Sequence, residues 1–462
     1  MRPRWLLLAV LAAAIALLAA ACGGSDEASP APAEPAPAEP AAPAPAEPAE
    51  PAEPAPAEPA PAEPAPAEPA EPAPAEPAPA PAESGAAPTG DPIVIGMPIS
   101  LTGDLAPWGL WPQQMAEFAV EDINAAGGVL GRPIQLVTAD DKSDFAANGA
   151  AAAIEVIDKG ASIIVTDCDF DWSAPAQSEA TGRGIPGISF CAGAPNFGPN
   201  GLGPLTFSAG IATPNEAIVP AEWSFNEQGW KSAFILNDPV IDYDTTYCAS
   251  YKQAFQDLGG TIAGEDTFEQ ADPQLQSVIT RFQSLDPQPD FIVLCSIPPG
   301  GATAIRQLRA AGIETPIFMG VGMGGDWWFE SVGSPLSNAY QSTYGSWLGD
   351  DEIQAVNDLA ARYQEKYDGP VPLPHALMGY QVIQVVADAI ERAGSTEGEA
   401  IAAALQATDG SFLFGPFTFN TDYNHSFTFP VTIMKIDAGK ASFLKRLQPQ
   451  GDAVALWQKV TG

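Results

Sequence analysis

Several groups of residues carry enough chemistry to be weighed as sites. Asp140 and Asp141 are adjacent carboxylates, and carboxylate pairs perform glycoside hydrolysis by giving a proton on one side and assisting attack on the other. In a chain with 57 acids and 19 bases, the same pair is expected as a solvated strand end. Gly320-Val-Gly-Met-Gly-Gly325 satisfies the G-x-G-x-x-G spacing that lets backbone approach a pyrophosphate. No strand-end acid follows at the distance that would bind a ribose, and Asp326-Trp-Trp328 crowds the start of the required helix, so a dinucleotide-binding enzyme is the weakest reading. His375 and His425 are the only histidines, and they lack the Cys/His spacing of a zinc site. His375 follows Pro372 and Pro374 and reads as a capping or surface residue. No G-x-S-x-G nucleophile turn occurs. Asp167-Cys-Asp-Phe-Asp-Trp-Ser173 is of another kind, because Asp169, Asp171 and Trp172 combine counter-charge with an aromatic face, the means of holding a cation without reacting with it. The residues point to recognition, with no catalytic residue, metal or cofactor expected.

The elements that position these residues follow from hydrophobic period. Ile93 to Met97, Ile134 to Ala139, Ser162 to Asp167 and Pro186 to Phe190 are short Val/Ile-rich runs. Between them, Met115, Phe118, Ala119 and Ile123 fall at helical spacing, and Asn124-Ala-Ala-Gly-Gly128 ends that helix. Asp144 to Lys159 and Ala174 to Arg183 supply two more helices. The pattern restarts with strands at Ser232 to Asn237, Thr261 to Thr267, Phe291 to Cys295 and Pro316 to Gly320, separated by helices near Thr245 to Leu258, Gln274 to Ser284 and Gly301 to Ala311. Two parallel sheets covered by helices are implied, an α/β fold of two lobes. Ile211-Ala-Thr-Pro214 is the expected crossing between them, and helices at Glu352 to Lys366 and His375 to Ala393 are expected to return to the first lobe. In such sheets ligands bind where the loops after the strands converge, so two facing lobes make one cleft. Trp111, Trp172, Trp327 and Trp328 fall in or beside those loops, and Asp326 is a further source of counter-charge.

Composition sets the location. Arg2 and Arg4, the apolar run Trp5 to Leu18 and the small residues Ala19 to Ala21 have the order of a secretory signal, too short to span a bilayer. Ala31 to Glu83 is nearly all Pro, Ala and Glu, a composition that cannot build a core and extends toward polyproline II. At about 3.1 Å per residue, a tether of some 60 residues reaches at most roughly 190 Å. The repeat with Asp26 and Glu27 holds 13 of the 57 acids, and Arg2 and Arg4 are two of the 19 bases, leaving 44 acids against 17 bases, or −27, in the folded part. That charge argues against nucleic acid or an anionic membrane face as direct partner. Cys168, Cys191, Cys248 and Cys295 permit three disulfide pairings. Cys168 with Cys191 and Cys248 with Cys295 is the preferred set, because Cys168 and Cys191 end neighbouring strands; four reduced thiols are the alternative.

Two resemblances add to this. Cys22, directly after the small residues, resembles the lipobox cysteine of bacterial lipoproteins, with Ala19 where Leu is usual. The series Ile93-Val-Ile-Gly-Met-Pro-Ile-Ser-Leu-Thr-Gly103, Trp108-Gly109, Ala119-Val-Glu-Asp-Ile-Asn-Ala-Ala-Gly-Gly128, Tyr243-Asp244, Ile305-Arg-Gln-Leu-Arg-Ala-Ala-Gly312, Gly379-Tyr380 and Phe414-Gly-Pro-Phe-Thr-Phe419 resembles the leucine/isoleucine/valine-binding family of solute receptors. The resemblance implies a type I periplasmic-binding-protein fold with three hinge crossings, closing on a small solute and handing it to an ABC permease. It also implies an extracytoplasmic, lipid-anchored and monomeric receptor; a sensor reporting to a signalling partner is the alternative. The implied boundaries are a signal peptide over 1–21, a tether over 22–90, a first lobe over 91–212 and 338–430, a second lobe over 213–337, and a final crossing with the C-terminal segment over 431–462. Trp108 and Tyr243 match the family's wall and cap. Ser173 is the substitute for a hydroxyl that holds the ligand carboxylate, while a second hydroxyl falls at Gly193 beside Ala192. The family's ammonium-binding acid falls near Gly322, with Asp326 the nearest substitute and Trp327 beside it. These departures favour a cationic or neutral amphipathic ligand over a branched-chain amino acid.

Overall fold

Runs of branched apolar residues bounded by glycines give the strands of two sheets. The computed structural model describes residues 87–270 and 274–461, which lie in one compact unit. The signal, Cys22 and nearly all of the tether lie outside the described residues. The first lobe begins β1 Ile93–Ile99, α1 Ala106–Ala125, β2 Ile134–Asp140, α2 Phe145–Asp158, β3 Ala161–Thr166, α3 Phe170–Gly182, β4 Gly187–Ser189, α4 Pro199–Leu202 and β5 Thr206–Ile211. The second repeats the scheme with α5 Thr213–Glu222, β6 Ser232–Asn237, α6 Asp242–Asp257, β7 Thr261–Thr267, α7 Gln276–Gln283, β8 Phe291–Cys295, α8 Gly300–Ala310, β9 Ile317–Met319 and β10 Ala339–Thr343. The chain returns through α9 Gln354–Tyr367, α10 His375–Ala393, α11 Gly398–Gln406, the hairpin β11 Asp409–Phe412 and β12 Gly415–Thr418, and β13 His425–Ser426. It ends with β14 Val431–Asp437, β15 Lys440–Leu447 and α12 Ala453–Thr461.

The first sheet has the order β13-β5-β4-β3-β1-β2, parallel throughout. The second has the order β15-β14-β10-β9-β8-β6-β7, with β14 and β15 antiparallel at one edge. Each sheet therefore reverses its winding beside its first strand, between β1 and β3 in one and between β6 and β8 in the other. Those two switch points are where a ligand crevice opens.

Two boundaries differ from expectation. The second lobe does not stop at 337, because β10 pairs with β9 and extends its sheet. Residues 431–462 are more than a crossing, since β14 pairs with β10 and α12 packs on α5 and α6. The main chain changes sheets after β5, after β10 and after β13. The three passages touch: Asn215 Nδ2 donates to Phe429 O at 2.7 Å, and the Tyr344 and Phe429 rings lie 6.0 Å apart. A buried ion pair joins Arg446 of β15 to Asp351 beyond the second passage at 3.0 Å.

Helix α10 closes the first lobe by lying along α1, and the approach is close enough to exclude a side chain at Gly379. A methyl there would overlap the carbonyl oxygen of Pro112 in α1. Gly379→Ala is expected to destabilise the fold by about 1–3 kcal/mol, the usual range for overpacking. Gly182→Ala, where nothing lies within 4 Å of an added methyl, is expected to stay within about 0.5 kcal/mol of the parent in thermal or urea denaturation.

Candidate functional site

The acids at the ends of the first lobe's strands brace the loops around the site. Ser100, directly after β1, donates its N–H to Asp167 Oδ2 at 2.8 Å and its hydroxyl to Asp141 Oδ1 at 2.7 Å. Asp140 accepts from Leu101 N at 2.9 Å, from Thr102 Oγ1 at 2.6 Å and from Lys142 N at 2.9 Å. The expected solvated pair is thus a clamp on the loop that leads into α1, with Asp141 buried. Burial, with the Asp141 charge adding to it, pushes the Asp167 carboxyl up to about 8. Gly109 lets α1 start against this loop, where a side chain would strike the Ser100 carbonyl, and so places Trp108 over the crevice.

The two lobes are joined by an unusual cap. Helix α6 begins after Ile241, which has no side-chain acceptor for the free N–H groups of the first turn. The acceptors come from the opposite lobe. Asp169 Oδ2 takes the N–H of Tyr243 at 3.3 Å, and Asp171 Oδ2 takes that of Asp242 at 2.8 Å. Carboxylates are favoured at a helix N-terminus by its partial positive charge. Asp169 also caps α3 through Asp171 N at 3.0 Å, holding a left-handed backbone (φ 73°) that costs a non-glycine residue energy and marks functional loops. Asn196 Nδ2 adds a bond to Asp242 Oδ2 at 3.1 Å.

Between the lobes lies a cavity lined by Trp108, Asp169, Trp172, Gly193 and His375 on one side, and by Ile241, Tyr243, Ile297, Val321 and Gly322 on the other. Its volume of about 20 Å3 suffices for one water. A groove of about 200 Å3 between α5, α6 and α12 lies wholly within the second lobe and draws nothing from the facing loops. The Trp108 ring meets Trp172 and Trp327 edge to face, each at 5.7 Å. Tyr243 reaches across the cavity toward Glu216, its hydroxyl 3.1 Å from both carboxylate oxygens, and accepts from Gly322 N at 3.2 Å. Val321 N donates to Glu216 Oε1 at 2.8 Å, so α5, α6 and the loop after β9 meet in one buried network. Added methyls at Gly193 and Gly322 would stand 3.1 and 2.8 Å from the Tyr243 ring. The ring fills the space that a hydroxyl and an acid would need at those two positions.

Of the expected residues, the structure brings together Trp108, Asp169, Trp172, Gly193, Tyr243 and Gly322. Asp171 faces outward and reaches α6, not the cavity. Ser173 and Ala192 lie outside the cavity lining, the Ser173 hydroxyl donating to Asp167 O at 2.7 Å and Ala192 N to Ser189 Oγ at 2.8 Å. Asp326 is half-buried beside the cleft but outside the lining, and Trp327, 39% exposed, closes the rim against Trp108. Trp328 belongs to the core of the second lobe, with Nε1 donating to Met323 O at 3.0 Å, and Trp111 packs on the first core. The glycine-rich run forms a short 3-10 turn at Val321–Met323 and opens no helix; its Val321 and Gly322 N–H groups are already bonded. His375 does begin α10 but is buried in the cavity wall, with Nδ1 lacking a partner and burial holding its pKa down to about 3. The disulfides join Cys168 to Cys191 at a Cα separation of 4.7 Å and Cys248 to Cys295 at 5.8 Å, the first of them beside the cavity. Among the described residues no group of three or more His, Cys, Asp or Glu is arranged to hold a metal ion. Sequence reasoning missed Glu216, Ile241, Ile297, Val321 and His375. For Glu216 a signal existed, an acid one turn into the helix that follows the first crossing.

Comparisons with known proteins agree with this architecture. The family model described as periplasmic binding protein matches residues 92–441. The Leu/Ile/Val-binding protein BraC3 of Rhizobium johnstonii is 26% identical over 317 residues, which are 68% of this chain and 83% of that protein. The crystal structure of the branched-chain amino acid transporter substrate binding protein LivJ from Streptococcus pneumoniae, in complex with isoleucine, superposes with a TM-score of 0.68 at 24% identity, covering 78% of this chain and all of that one. A solute binding protein from R. palustris in complex with benzoate gives 0.64 at 19%, covering 78% and 97%. Both structures share the fold.

The buried acids set a pH dependence. Burial raises Glu216 to about 8, against the backbone and Tyr243 bonds that lower it, and raises Asp238 to about 6. Folded-state values above the unfolded ones mean that the folded chain binds more protons, so this stability is complete below about pH 4; the Asp238 share is lost as pH rises to about 6 and the Glu216 share as pH rises toward 8, at about 1.4 kcal/mol per pH unit within each window. Thermal denaturation is therefore expected at a lower temperature at pH 8 than at pH 5. Glu216→Gln, which removes one titration and keeps an acceptor for Tyr243, is expected to flatten the slope.

Proposed function

The chain belongs to the periplasmic binding protein family, and from that premise we propose that it is the solute receptor of an ABC uptake system, working outside the cytoplasmic membrane. It captures a small organic solute, an amino acid, amine, amide or aromatic compound, between its lobes and delivers it to a membrane permease. The observation that carries this reading is the coincidence of both topological switch points at one aromatic-walled cavity, with three touching passages as the hinge. The likeness to proteins crystallised with isoleucine and benzoate supports a ligand of that size. One copy supplies both walls, so a monomer suffices. The six residues brought together at the cavity are the proposed contacts, with Glu216 and His375 added from the geometry.

The anchor completes the reading. Lipidation at Cys22 keeps the receptor at the membrane, and the Pro/Ala/Glu tether gives it reach to the permease. Mass spectrometry of small molecules released from denatured, freshly purified protein is expected to show one organic solute in near-equimolar amount. Conversion of that solute by the native protein would contradict the reading. Cys22→Ser is expected to release the protein from membranes and impair uptake while ligand affinity stays the same. Altered affinity would place the boundary between tether and receptor wrongly.

A further inference from the structure

We propose that the cleft selects a small organic cation without a carboxylate, an ammonium group on a compact apolar body, an inference that rests on the receptor reading above. An anionic ligand needs free N–H or O–H groups, and the backbone donors at the helix starts and the glycine turn facing this cavity are spent. Asp171 N and Tyr243 N go to Asp169, and Asp242 N goes to Asp171. Val321 N goes to Glu216, and Gly322 N to the Tyr243 hydroxyl. The hydroxyls of Ser173 and Ser189 both donate to Asp167 O, and that of Ser208 donates to Ala192 O. Asp169 thus holds, with its own carboxylate, the helix start that would otherwise receive a ligand's.

Acceptors, in contrast, remain. Among the described residues no lysine or arginine lines the cavity. Each Asp169 oxygen keeps a second lone pair for an ammonium N–H. Asp244, one residue beyond Tyr243, is fully buried outside the cavity lining, with neither oxygen bonded. The second, independent feature is His375, on the same wall as Asp169, only 3% exposed and with an unpaired Nδ1. Burial holds that ring neutral, so it adds no repelling charge, and in the tautomer protonated at Nε2 it presents Nδ1 as an acceptor. Trp108, Trp172 and Tyr243 present aromatic faces between these groups, surfaces that attract cations and cover an apolar body. Asp171 and Asp242 stand at the seam with Asp244 and Glu216 behind it; burial pushes the Asp169, Asp244 and Glu216 carboxyls up toward their neutral forms, and a ligand cation among them would favour their ionisation.

The test compares skeletons that differ only in charge. Wild-type protein is titrated at pH 7 with isopentylamine, leucine and isovalerate, with benzylamine, phenylalanine and benzoate, and with choline, by thermal shift and calorimetry. At least one cation is expected to bind, and tenfold or more tightly than the acid and the amino acid of its skeleton. Asp169→Asn is expected to weaken that cation at least tenfold; the wild-type series stands alone should this variant not fold. Binding of leucine, phenylalanine, isovalerate or benzoate as tightly as the matching amine overturns the cation class and leaves the receptor reading standing. Failure of every cation to bind also overturns it. Conversion of a bound compound would instead strike at the receptor reading.

Discussion

The first turn of α6 has N–H groups that its own chain segment does not cap, and the rest of the site follows from how that need is met. Ile241 offers no acceptor, so the carboxylates of Asp169 and Asp171 arrive from the other lobe. Such bonds are roughly twice as strong as neutral ones when the carboxyl is ionised, and burial pushes the Asp169 carboxyl well above its usual range. They also lose their protein partners when the lobes part, so the closed and open forms differ by a defined set of contacts. A receptor that opens and closes needs such a balance, because closure that is too stable would trap the solute and closure that is too weak would not enclose it.

Tyr243 carries the second half of the mechanism. It sits one residue inside that helix start, spans the cavity between Gly193 and Gly322, and bonds through its hydroxyl to Glu216 of α5, the helix that receives the first passage between sheets. Closure at the cavity mouth is therefore connected to the hinge through one ring and one buried carboxyl. Glu216 and Asp167 are held in the folded chain at a cost, since burial favours their neutral forms. Buried, partly unsatisfied acids are a usual sign of a site where function has been kept at the expense of stability.

The sequence displays the parallel halves well, because β1, β3, β6 and β8 are short, mostly apolar and buried runs of the kind a doubly covered sheet accommodates. It displays β10, β14 and β15 poorly. β10 is Ala-Tyr-Gln-Ser-Thr, with little apolar signal, and β14 and β15 add an antiparallel edge to a sheet whose other neighbours are parallel. The site is legible in its aromatic and glycine positions and in Asp169, but not in Glu216. Asp141 looks solvated as half of a strand-end pair; its partners are the Ser100 hydroxyl and the Ser143 N–H, brought close by the fold. His375 looked superficial because Pro372 and Pro374 resemble a surface turn, whereas α10 packs along α1 and turns that start into the cavity. Ser173 was assigned by position in the loop, and its hydroxyl is satisfied within the loop itself.

The central claim is that this chain's own carboxylates occupy the start of α6, leaving the cleft to a cation. A crystal structure of the protein with its tightest-binding solute tests that most directly. The account predicts a ligand nitrogen about 3 Å from the Asp169 carboxylate, with Trp108 and Trp172 against the ligand body and Asp171 still bonded to the start of α6. A ligand carboxylate seated on the N–H groups of Asp171 and Tyr243, with Asp169 displaced, would contradict it.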